Sequence, residues 1–172
     1  MKTRIVMVMS ADGVIAKSSN HNPTEWTSKE DQELYKKITK EAGVMIFGQS
    51  TYDAIGMPLP GRLNIVLTRE NRQDIPGTLE HKQGDLKLIL EDLAKRGFKL
   101  VIIGGGTIVN SRFLEAGLVD ELQLTIEPKL FGAGLRLFDQ IDVNIDLELI
   151  EVVKLNDNTL NLIYKIKKTS NL

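Results

Sequence analysis

The sequence predicts an α/β fold in which a mostly parallel sheet is flanked by helices and finished by an antiparallel hairpin. Apolar runs of strand length alternate with segments of helical period over residues 4–126, which is the pattern of α/β proteins. In the last quarter, single apolar and polar residues alternate instead. No internal repeat or linker-like stretch interrupts the 172 residues, and their 42% hydrophobic content is typical of globular proteins. We therefore expect residues 1–172 to form a single domain.

Five apolar runs, bounded by glycine, proline or charged residues, predict the strands of the parallel part. Short runs bounded in this way indicate strands that are buried on both faces. These runs are residues 4–9, 44–47, 63–67, 100–103 and 122–126. The alternating segments 145–149 and 160–166, with a polar turn at 156–158 between them, predict the antiparallel hairpin.

Helices are predicted between these strands where apolar residues recur at helical spacing. One stripe contains Leu34 and Ile38, and another contains Leu86, Leu90 and Leu93. We expect a short helix after the turn at 48–51 and a further helix after the three glycines at 104–106.

Composition excludes several classes of function. The net charge of −1 gives no general attraction for nucleic acid or an anionic membrane. Cysteine is absent, which excludes cysteine catalysis, thiolate metal sites and disulfides, and His21 and His81 lack neighbouring ligand residues, so we expect no metal site. The apolar run at 5–9 is too short for a signal peptide, and the longest uncharged stretch, 100–111, is too short to span a bilayer. We expect a cytoplasmic protein that acts on a small molecule.

Two glycine-containing turns carry the strongest chemical signal. Each follows a predicted strand and precedes a predicted helix, so glycine would let the backbone approach a ligand and the helix N–H groups would suit a phosphate. Taken alone, such a turn is equally typical of a tight connection. The dinucleotide fingerprint is not matched, because Val109 occupies its third glycine position. The residues of the two turns are Gly48, Gln49, Ser50 and Thr51, and Gly104, Gly105, Gly106 and Thr107.

Thr68 and Arg69 follow the predicted strand 63–67. They would therefore lie at the same edge of the sheet as the two glycine turns, where open α/β sheets bind ligands. A solvated loop charge remains the alternative interpretation of Arg69.

Longer motifs resemble a known family. The segment 48–68 contains Gly-x-x-Thr-Tyr and then Leu-Pro-Gly-Arg-x-Asn-Ile-Val-Leu-Thr, which resembles dihydrofolate reductases. The segment 104–134 contains Gly-Gly-Gly-Thr, Gly-Leu-Val-Asp-Glu-Leu and Phe-Gly-x-Gly, which is more similar to the reductase domain of bacterial riboflavin-biosynthesis deaminase-reductases and their stand-alone relatives. Together with Ser-Ala-Asp-Gly at 10–13, these motifs cover almost the whole chain. The sequence is thus similar to the dihydrofolate reductase superfamily.

This resemblance implies a three-layer αβα fold and an NADPH-dependent reductase. By the same resemblance, the two glycine turns hold the cofactor pyrophosphate, and Thr68 and Arg69 hold the adenosine 2′-phosphate. Ala16 matches a position near the nicotinamide, and Trp26 and Thr125 match positions in the substrate pocket. A homodimer is also implied, because the segment 118–130 resembles a strand that pairs across subunits.

Asp31 is the predicted catalytic residue. It shares the inward helical stripe with Leu34 and Ile38, although carboxylates usually avoid burial. It also follows Trp26 by five residues, the spacing at which dihydrofolate reductases carry their catalytic acid. The alternative is a helix cap, since Ser28 and Asp31 have the spacing of a capping box. Thr27 and Glu30 fit that box better, because glutamate is the usual partner.

The substrate is less sharply predicted because the sequence departs from both groups of reductases. Residues 27–30 replace a Leu-Pro pair of dihydrofolate reductases, Gln49 replaces a basic residue, and Gly104 stands where riboflavin-pathway reductases commonly have glutamate. The resemblance implies reduction of 5-amino-6-(5-phosphoribosylamino)uracil, with hydride transfer to a C=N carbon. Dihydrofolate reductase activity is one alternative, and a non-catalytic nucleotide-binding or assembly module is another.

Overall fold

A computed structural model describes residues 1–18, 21–139 and 141–167. Ten strands, four α-helices and a short 3₁₀ helix form over these residues. In chain order they are β1 Lys2–Ser10, β2 Val14–Ala16, the 3₁₀ helix Pro23–Glu25, α1 Lys29–Ala42, β3 Val44–Gly48, α2 Gln49–Ile55, β4 Leu63–Leu67, β5 Leu79–Lys82, α3 Leu86–Lys95, β6 Leu100–Ile103, α4 Thr107–Glu115, β7 Glu121–Glu127, β8 Leu135–Arg136, β9 Leu147–Lys154 and β10 Leu160–Ile166. In this part of the chain, no helix is both long and apolar enough to cross a membrane.

One eight-stranded sheet organises the molecule, with the order β5-β4-β3-β6-β1-β7-β10-β9. Every pair from β5 to β7 is parallel, whereas β10 is antiparallel to β7 and to β9. The predicted mostly parallel sheet with a C-terminal antiparallel hairpin is confirmed. The carboxyl ends of β1, β3, β4 and β6 therefore meet at one edge of the sheet.

Helices cover both faces of the sheet, and successive strand residues belong to different cores. Ile46 packs in the cluster that contains Leu93 of α3 and Phe113 of α4. Its neighbour Phe47 packs in the opposite cluster, together with Tyr35 of α1 and further residues of α1 and α2. Because side chains alternate across a strand, each buried strand stabilises both layers. The three-layer αβα arrangement is confirmed.

Some short strands were not predicted. β5 contains a single apolar residue, Leu79, and lies at the edge of the sheet, so its sequence lacks the apolar run that marked the central strands. β2 and β8 form a separate two-stranded sheet in which β8 is only two residues long. Such a short pair depends on tertiary contacts and leaves no periodic signal.

The structure limits how subunits could pair. β7 is hydrogen-bonded to β1 along one edge and to β10 along the other. Both edges of β7 are thus occupied within the chain, so these residues of the segment 118–130 have no free strand edge for pairing across subunits. In this half of the sheet, the edge without a neighbour among the described strands belongs to β9.

Candidate active site

A cleft of about 1450 Å³ lies at the carboxyl ends of the parallel strands. It brings together most of the predicted site residues, from β2, α1, β3, α2 and α4 and from the loops that follow β4 and β6. The predicted residues on its wall are Ala16, Asp31, Gly48, Gln49, Ser50, Thr51, Thr68, Arg69, Gly104, Gly106 and Thr107. Gly105, Trp26 and Thr125 lie close by but not on this wall.

The two glycine turns form the centre of the cleft and are joined to each other. The Gly48 amide donates to the Gly105 carbonyl at 2.8 Å, and the Gly104 amide donates to the Ile46 carbonyl at 2.8 Å. Gly48 and Gly106 are the N-caps of α2 and α4, and neither supplies a capping side chain. The first amides of both helices are therefore left for a ligand or water.

Glycine is required at two positions of the second turn. Gly105 has a φ of +86°, and a Cβ there would lie 3.0 Å from the Met7 Cε. A Cβ on Gly106 would lie 3.2 Å from the Thr51 Oγ1, which crosses the space between the two turns. A side chain at either position would be strained or would fill the narrow space beside the turns. The backbone itself forms this part of the cleft.

Positive charge is concentrated at the β4–β5 end of the cleft. Arg69 and Arg72 follow β4, and Lys82 ends β5. Arg72 is paired with Glu70 at 2.7 Å and Lys82 with Glu80 at 3.0 Å. Arg69 is exposed and has no hydrogen bond or ion pair to another described residue. Its guanidinium is the cation most available to an anionic ligand.

Asp31 lies at the opposite end of the cleft, where α1 begins beside β7. Four strand spacings separate β4 from β7 in the sheet order. At about 4.8 Å per spacing, this end lies about 19 Å from the cationic end. The cleft therefore offers a cationic end, a central pair of glycine turns and a carboxyl group at the other end.

The cap of α1 explains how Asp31 comes to face the cleft. The N-cap is Ser28, so the prediction that Thr27 and Glu30 form the capping box is wrong. The Ser28 hydroxyl accepts from the Asp31 amide at 3.3 Å, while the Ser28 amide donates to Glu127 Oε1 at 2.8 Å. In a capping box the third helical residue would accept that bond. Because Glu127 accepts it instead, the Asp31 carboxyl group is not needed for the cap.

The environment of Asp31 favours a protonated carboxyl group. Its residue surface is only 7% exposed, and burial raises its pKa to about 6. A hydrogen bond from Thr125 opposes this rise, whereas the nearby Glu127 carboxylate adds to it. Asp31 can therefore hold a proton at a pH where an ordinary aspartate is almost fully ionised.

Trp26 and Thr125 lie behind the cleft rather than on its wall. Thr125 is 2% exposed and contacts the cleft through its hydrogen bond to Asp31. Trp26 lines a smaller neighbouring cavity of about 460 Å³, stacks on His21 and meets Phe131 edge to face. In these positions both side chains support the Asp31 end of the site.

Tyr35 is a residue of the site that sequence reasoning did not identify. It lines the cleft one turn after Asp31, and burial raises its pKa to about 12, so it stays neutral. A Cβ on Gly104 would lie 2.8 Å from the Tyr35 hydroxyl and 2.9 Å from the Met45 Cε. The glutamate of riboflavin-pathway reductases would not fit beside these side chains.

Sequence reasoning also missed Glu121, Gln123 and Glu127, which flank the predicted Thr125 along β7. Glu121, Gln123, Thr125 and Glu127 alternate with apolar residues and share one face of the strand, yet each is at most 5% exposed. Such alternation usually marks a face in water. The sequence did contain a signal for these residues, because a strand predicted to be buried on both faces carried polar side chains along one of them.

The Ser-Ala-Asp-Gly motif holds a loop beside Ala16. The Asp12 carboxylate accepts from the Phe131 and Gly132 amides, and these bonds together with the Ser10 hydroxyl lower its pKa to about 2. The Arg136 guanidinium donates to the Asp12 carbonyl. These bonds support the β2–β8 pair, so the role of Asp12 is structural.

Comparisons with known proteins agree with this geometry. Residues 2–160 match the family model of the RibD C-terminal domain. The dihydrofolate reductase of Buchnera aphidicola is 32% identical over 133 residues, which cover 77% of this chain and 75% of that protein. Dihydrofolate reductase from Enterococcus faecalis, solved with NADP(H), gives a TM-score of 0.76 at 23% identity and covers 97% of both chains. RibD from Acinetobacter baumannii gives 0.80 at 20% identity, covering 96% of this chain and 58% of that one.

The two solved structures establish the fold alone, because their sequence identities to this chain are too low to indicate a shared activity. The match to the domain model spans nearly the whole chain, and the relative at 32% identity is itself a reductase. Both agree with the resemblance of the motifs at 48–68 and 104–134. The chain belongs to the RibD C-terminal domain family and is a reductase of the dihydrofolate-reductase-like superfamily.

Proposed function

We propose that this protein is an NADPH-dependent reductase that transfers hydride to the carbon of a C=N bond. The observation that carries the proposal is the order of groups along one cleft. Arg69 lies at the cationic end, two uncapped helix N-termini lie in the middle, and the buried Asp31 lies at the other end. An extended NADPH molecule would place its 2′-phosphate at the cation, its pyrophosphate at the helix amides and its nicotinamide ring beside the acid.

The residues present fit such a cofactor. A Cβ at Gly105 or Gly106 would meet neighbouring side chains, so the second turn has to consist of bare backbone, and the uncapped N-termini at Gly48 and Gly106 leave amides for the pyrophosphate. Thr68 and Arg69 offer a hydroxyl and an unpaired guanidinium to the 2′-phosphate that distinguishes NADPH from NADH. Ala16 lies on the wall towards the Asp31 end, where the nicotinamide would lie.

NADPH supplies the hydride when bound, and the protein supplies orientation and a proton. With a pKa of about 6, about a tenth of the Asp31 side chains carry a proton at pH 7. A protonated Asp31 can donate from its carboxyl oxygen to the substrate nitrogen while the adjacent carbon accepts hydride. Thr125 then stabilises the carboxylate that remains.

The first candidate substrate is a pyrimidine of the 5-amino-6-(5-phosphoribosylamino)uracil type. The match to the RibD C-terminal domain supports it, because the deaminase-reductase from Thermotoga maritima, a structural neighbour, carries that activity in its name. Reduction would convert the ring-opened sugar imine to the ribitylamine.

A specific observation favours dihydrofolate as the second candidate. The lysine and arginine residues among the described wall residues are Arg69, Arg72, Lys82 and Arg112. Three of them lie at the β4–β5 end and Arg112 lies on α4, so none is beside Asp31 to bind a substrate phosphate. The part of dihydrofolate that would lie beside Asp31, its pterin ring, is uncharged, whereas its glutamate carboxylates would have to lie away from this end of the cleft.

The two reductase activities are separated by one assay. We expect the purified protein to oxidise NADPH on addition of either the pyrimidine ribosylamine or dihydrofolate, followed at the absorbance of the reduced nicotinamide. Turnover of the pyrimidine supports the first candidate, and turnover of dihydrofolate alone supports the second. NADPH binding without turnover of either substrate would contradict the proposed reductase and support a non-catalytic nucleotide-binding module.

We also propose a homodimer, formed by a second copy of this chain at β9. β9 is the edge strand, and it leaves Leu149, Ile150 and Val152 each about half exposed, with Leu147 and Leu160 nearby at about 40%. Both faces of β9 carry apolar side chains, interspersed with Glu148, Glu151 and Lys154, and seven of its eight residues are exposed. Exposed apolar edges of this kind favour pairing with another chain.

A further inference from the structure

A chain of buried hydrogen bonds leads from β1 to Asp31. Arg4 Nη1 donates to Gln123 Oε1 at 2.9 Å, Gln123 Nε2 donates to Asn161 Oδ1 at 2.9 Å, and Asn161 Nδ2 donates to Thr125 Oγ1 at 2.9 Å. Thr125 in turn is hydrogen-bonded to the Asp31 carboxyl group. The Arg4–Asp31 chain therefore joins three strands and the first helix.

The middle of this chain is almost completely removed from water. Gln123 is 3% exposed, and Thr125 and Asn161 are each 2% exposed. Buried amides and hydroxyls without partners cost about 1–3 kcal/mol each, so these groups must bond to one another. Their orientations are therefore coupled.

Chemistry at one end fixes the direction of every bond. A guanidinium can only donate, so Gln123 must present its oxygen to Arg4 and its NH₂ group to Asn161. Asn161 must then present its oxygen to Gln123 and its NH₂ group to Thr125. The Thr125 oxygen accepts that bond, which leaves its single proton for Asp31.

Arg4 itself is held in place. Its Nε donates to Glu121 Oε2 at 2.8 Å, and Lys2 contacts the other oxygen of Glu121 at 2.8 Å. Glu121 holds Arg4 and is itself held by Lys2, so the Arg4 guanidinium is restrained from turning away from Gln123. The direction of the chain is thus set at the strand ends far from the cleft.

We propose that Gln123 and Asn161 are positioning residues of the active site, which fix the Thr125 hydroxyl as a hydrogen-bond donor to Asp31. This inference rests on the proposed function only in assigning a proton-transfer role to Asp31. A fixed donor stabilises the ionised carboxylate, so the chain opposes the effects of burial and of the Glu127 carboxylate on the pKa of Asp31. It keeps the acid within the pH range in which it can both give and regain a proton.

The test replaces the side-chain NH₂ group of Gln123 by an oxygen atom. In Gln123→Glu the new carboxylate accepts from Arg4 but cannot donate, so the Asn161 amide turns over and presents its oxygen to Thr125. The Thr125 hydroxyl then donates to Asn161 and is lost to Asp31. Gln123→Met is the matched control, because it removes both bonds without forcing Asn161 to turn.

The readout is the pKa of Asp31, measured from the pH dependence of its carboxyl carbon in NMR spectra and assigned with Asp31→Asn. We expect Gln123→Glu to raise it by about one unit and Gln123→Met to raise it by less, because Asn161 can then adopt either orientation. Thr125→Val should raise it similarly. Gln123→Glu added to Thr125→Val should cause no further shift, because the hydroxyl is already absent.

Two results would overturn the inference. One is an equal Asp31 pKa in Gln123→Glu and Gln123→Met, and the other is a Gln123→Glu shift that persists in Thr125→Val, as a direct charge effect would. If Gln123→Glu does not fold, Asn161→Asp replaces it, with the same rise expected and the same Thr125→Val comparison. Since the titration needs neither cofactor nor substrate, absence of turnover would reject the proposed function without changing this outcome.

Discussion

Asp31 combines two properties that usually exclude each other, an ionisable carboxyl group and near-complete burial. Burial raises its pKa from 3.8 to about 6, so the folded protein binds a proton more tightly than the unfolded chain does. The stabilisation from that proton is present below about pH 4 and is lost as the pH rises through about 6. Above that range the buried carboxylate reduces the free energy of unfolding by about 3 kcal/mol.

Asp31→Asn should therefore stabilise the protein at pH 7.5, on the order of 2 kcal/mol, because a neutral amide replaces a buried charge. The gain should shrink on lowering the pH and disappear near pH 4. Thermal unfolding of both proteins across this range measures the difference. Glu115→Gln, at an exposed position on α4, is the control and should change little at any pH. A destabilised Asp31→Asn at pH 7.5 would mean that the carboxylate is better solvated than its burial implies.

Arg69 provides a second prediction for a single residue. Its unpaired guanidinium at the cationic end should make NADPH bind more tightly than NADH, and Arg69→Ala should weaken NADPH binding about tenfold or more while changing NADH binding little. Calorimetric titration with both cofactors gives the comparison. Arg96→Ala is the control, because Arg96 pairs with Glu80 and Asp92 on the exposed side of α3. Equal affinities of the unmodified protein for NADPH and NADH would remove the 2′-phosphate assignment.

Among the elements, β7 shows most clearly where prediction from sequence stops. Its apolar residues identified the strand, but the alternating Glu121, Gln123, Thr125 and Glu127 are what a solvent-facing strand would carry. They lie among polar side chains of the neighbouring strands β1 and β10 and of the start of α1, to which they are hydrogen-bonded. Their partners Ser28 and Asn161 are 99 and 38 residues away in sequence. No local pattern encodes such pairings.

The glycine turn between β6 and α4 was predictable because three consecutive glycines mark it in the sequence and the backbone there requires glycine, with Gly105 at a positive φ. Gly105→Ala should abolish NADPH binding while leaving the protein folded, since a side chain there meets Met7 and strains a residue at φ +86°. Gly106→Val should act similarly through Thr51. NADPH binding by calorimetry and folding by circular dichroism test both variants.

Gly77→Ala is the control for Gly105→Ala, because it introduces similar backbone strain at a position away from the cleft. Gly77 has a φ of +70° with open space around its Cβ position, so the variant should lose about 1–2 kcal/mol of stability and keep NADPH binding. If Gly105→Ala also binds NADPH normally, the turn is only a tight connection between strand and helix.

For the whole molecule, the sequence predicted the layers and the edge of the sheet that carries the cleft. The central strands are continuous apolar runs, and parallel strands bring their carboxyl ends together, so Gly48, Thr68 and Gly104 had to meet. The sequence offered Ser28 as an alternative cap of α1 but could not select it, because the acceptor of the Ser28 amide, Glu127, lies on β7. The polar edge strand β5 and the two-residue β8 depend on tertiary contacts for the same reason.

The dimer prediction also belongs to the whole molecule. Light scattering should give twice the chain mass of 19.2 kDa at micromolar concentration. Leu149→Lys combined with Val152→Lys should give the single-chain mass, because two charges on β9 oppose pairing. Leu88→Lys on α3 is the control, since Leu88 is 62% exposed and away from β9. A single-chain mass for the unmodified protein would contradict the dimer.

The measurement that tests the active site most directly is the turnover of Asp31→Asn, with whichever of the two substrates the unmodified protein reduces. We predict that NADPH affinity stays nearly unchanged, because Asp31 lies at the far end of the cleft from Arg69, while turnover falls about 10²-fold or more, as is usual for the loss of a positioned acid. Asparagine is a good substitute at a helix N-terminus, so a purely structural role would leave turnover near normal. Near-normal turnover by a folded Asp31→Asn protein would contradict the assignment of Asp31 as the acid of this reductase.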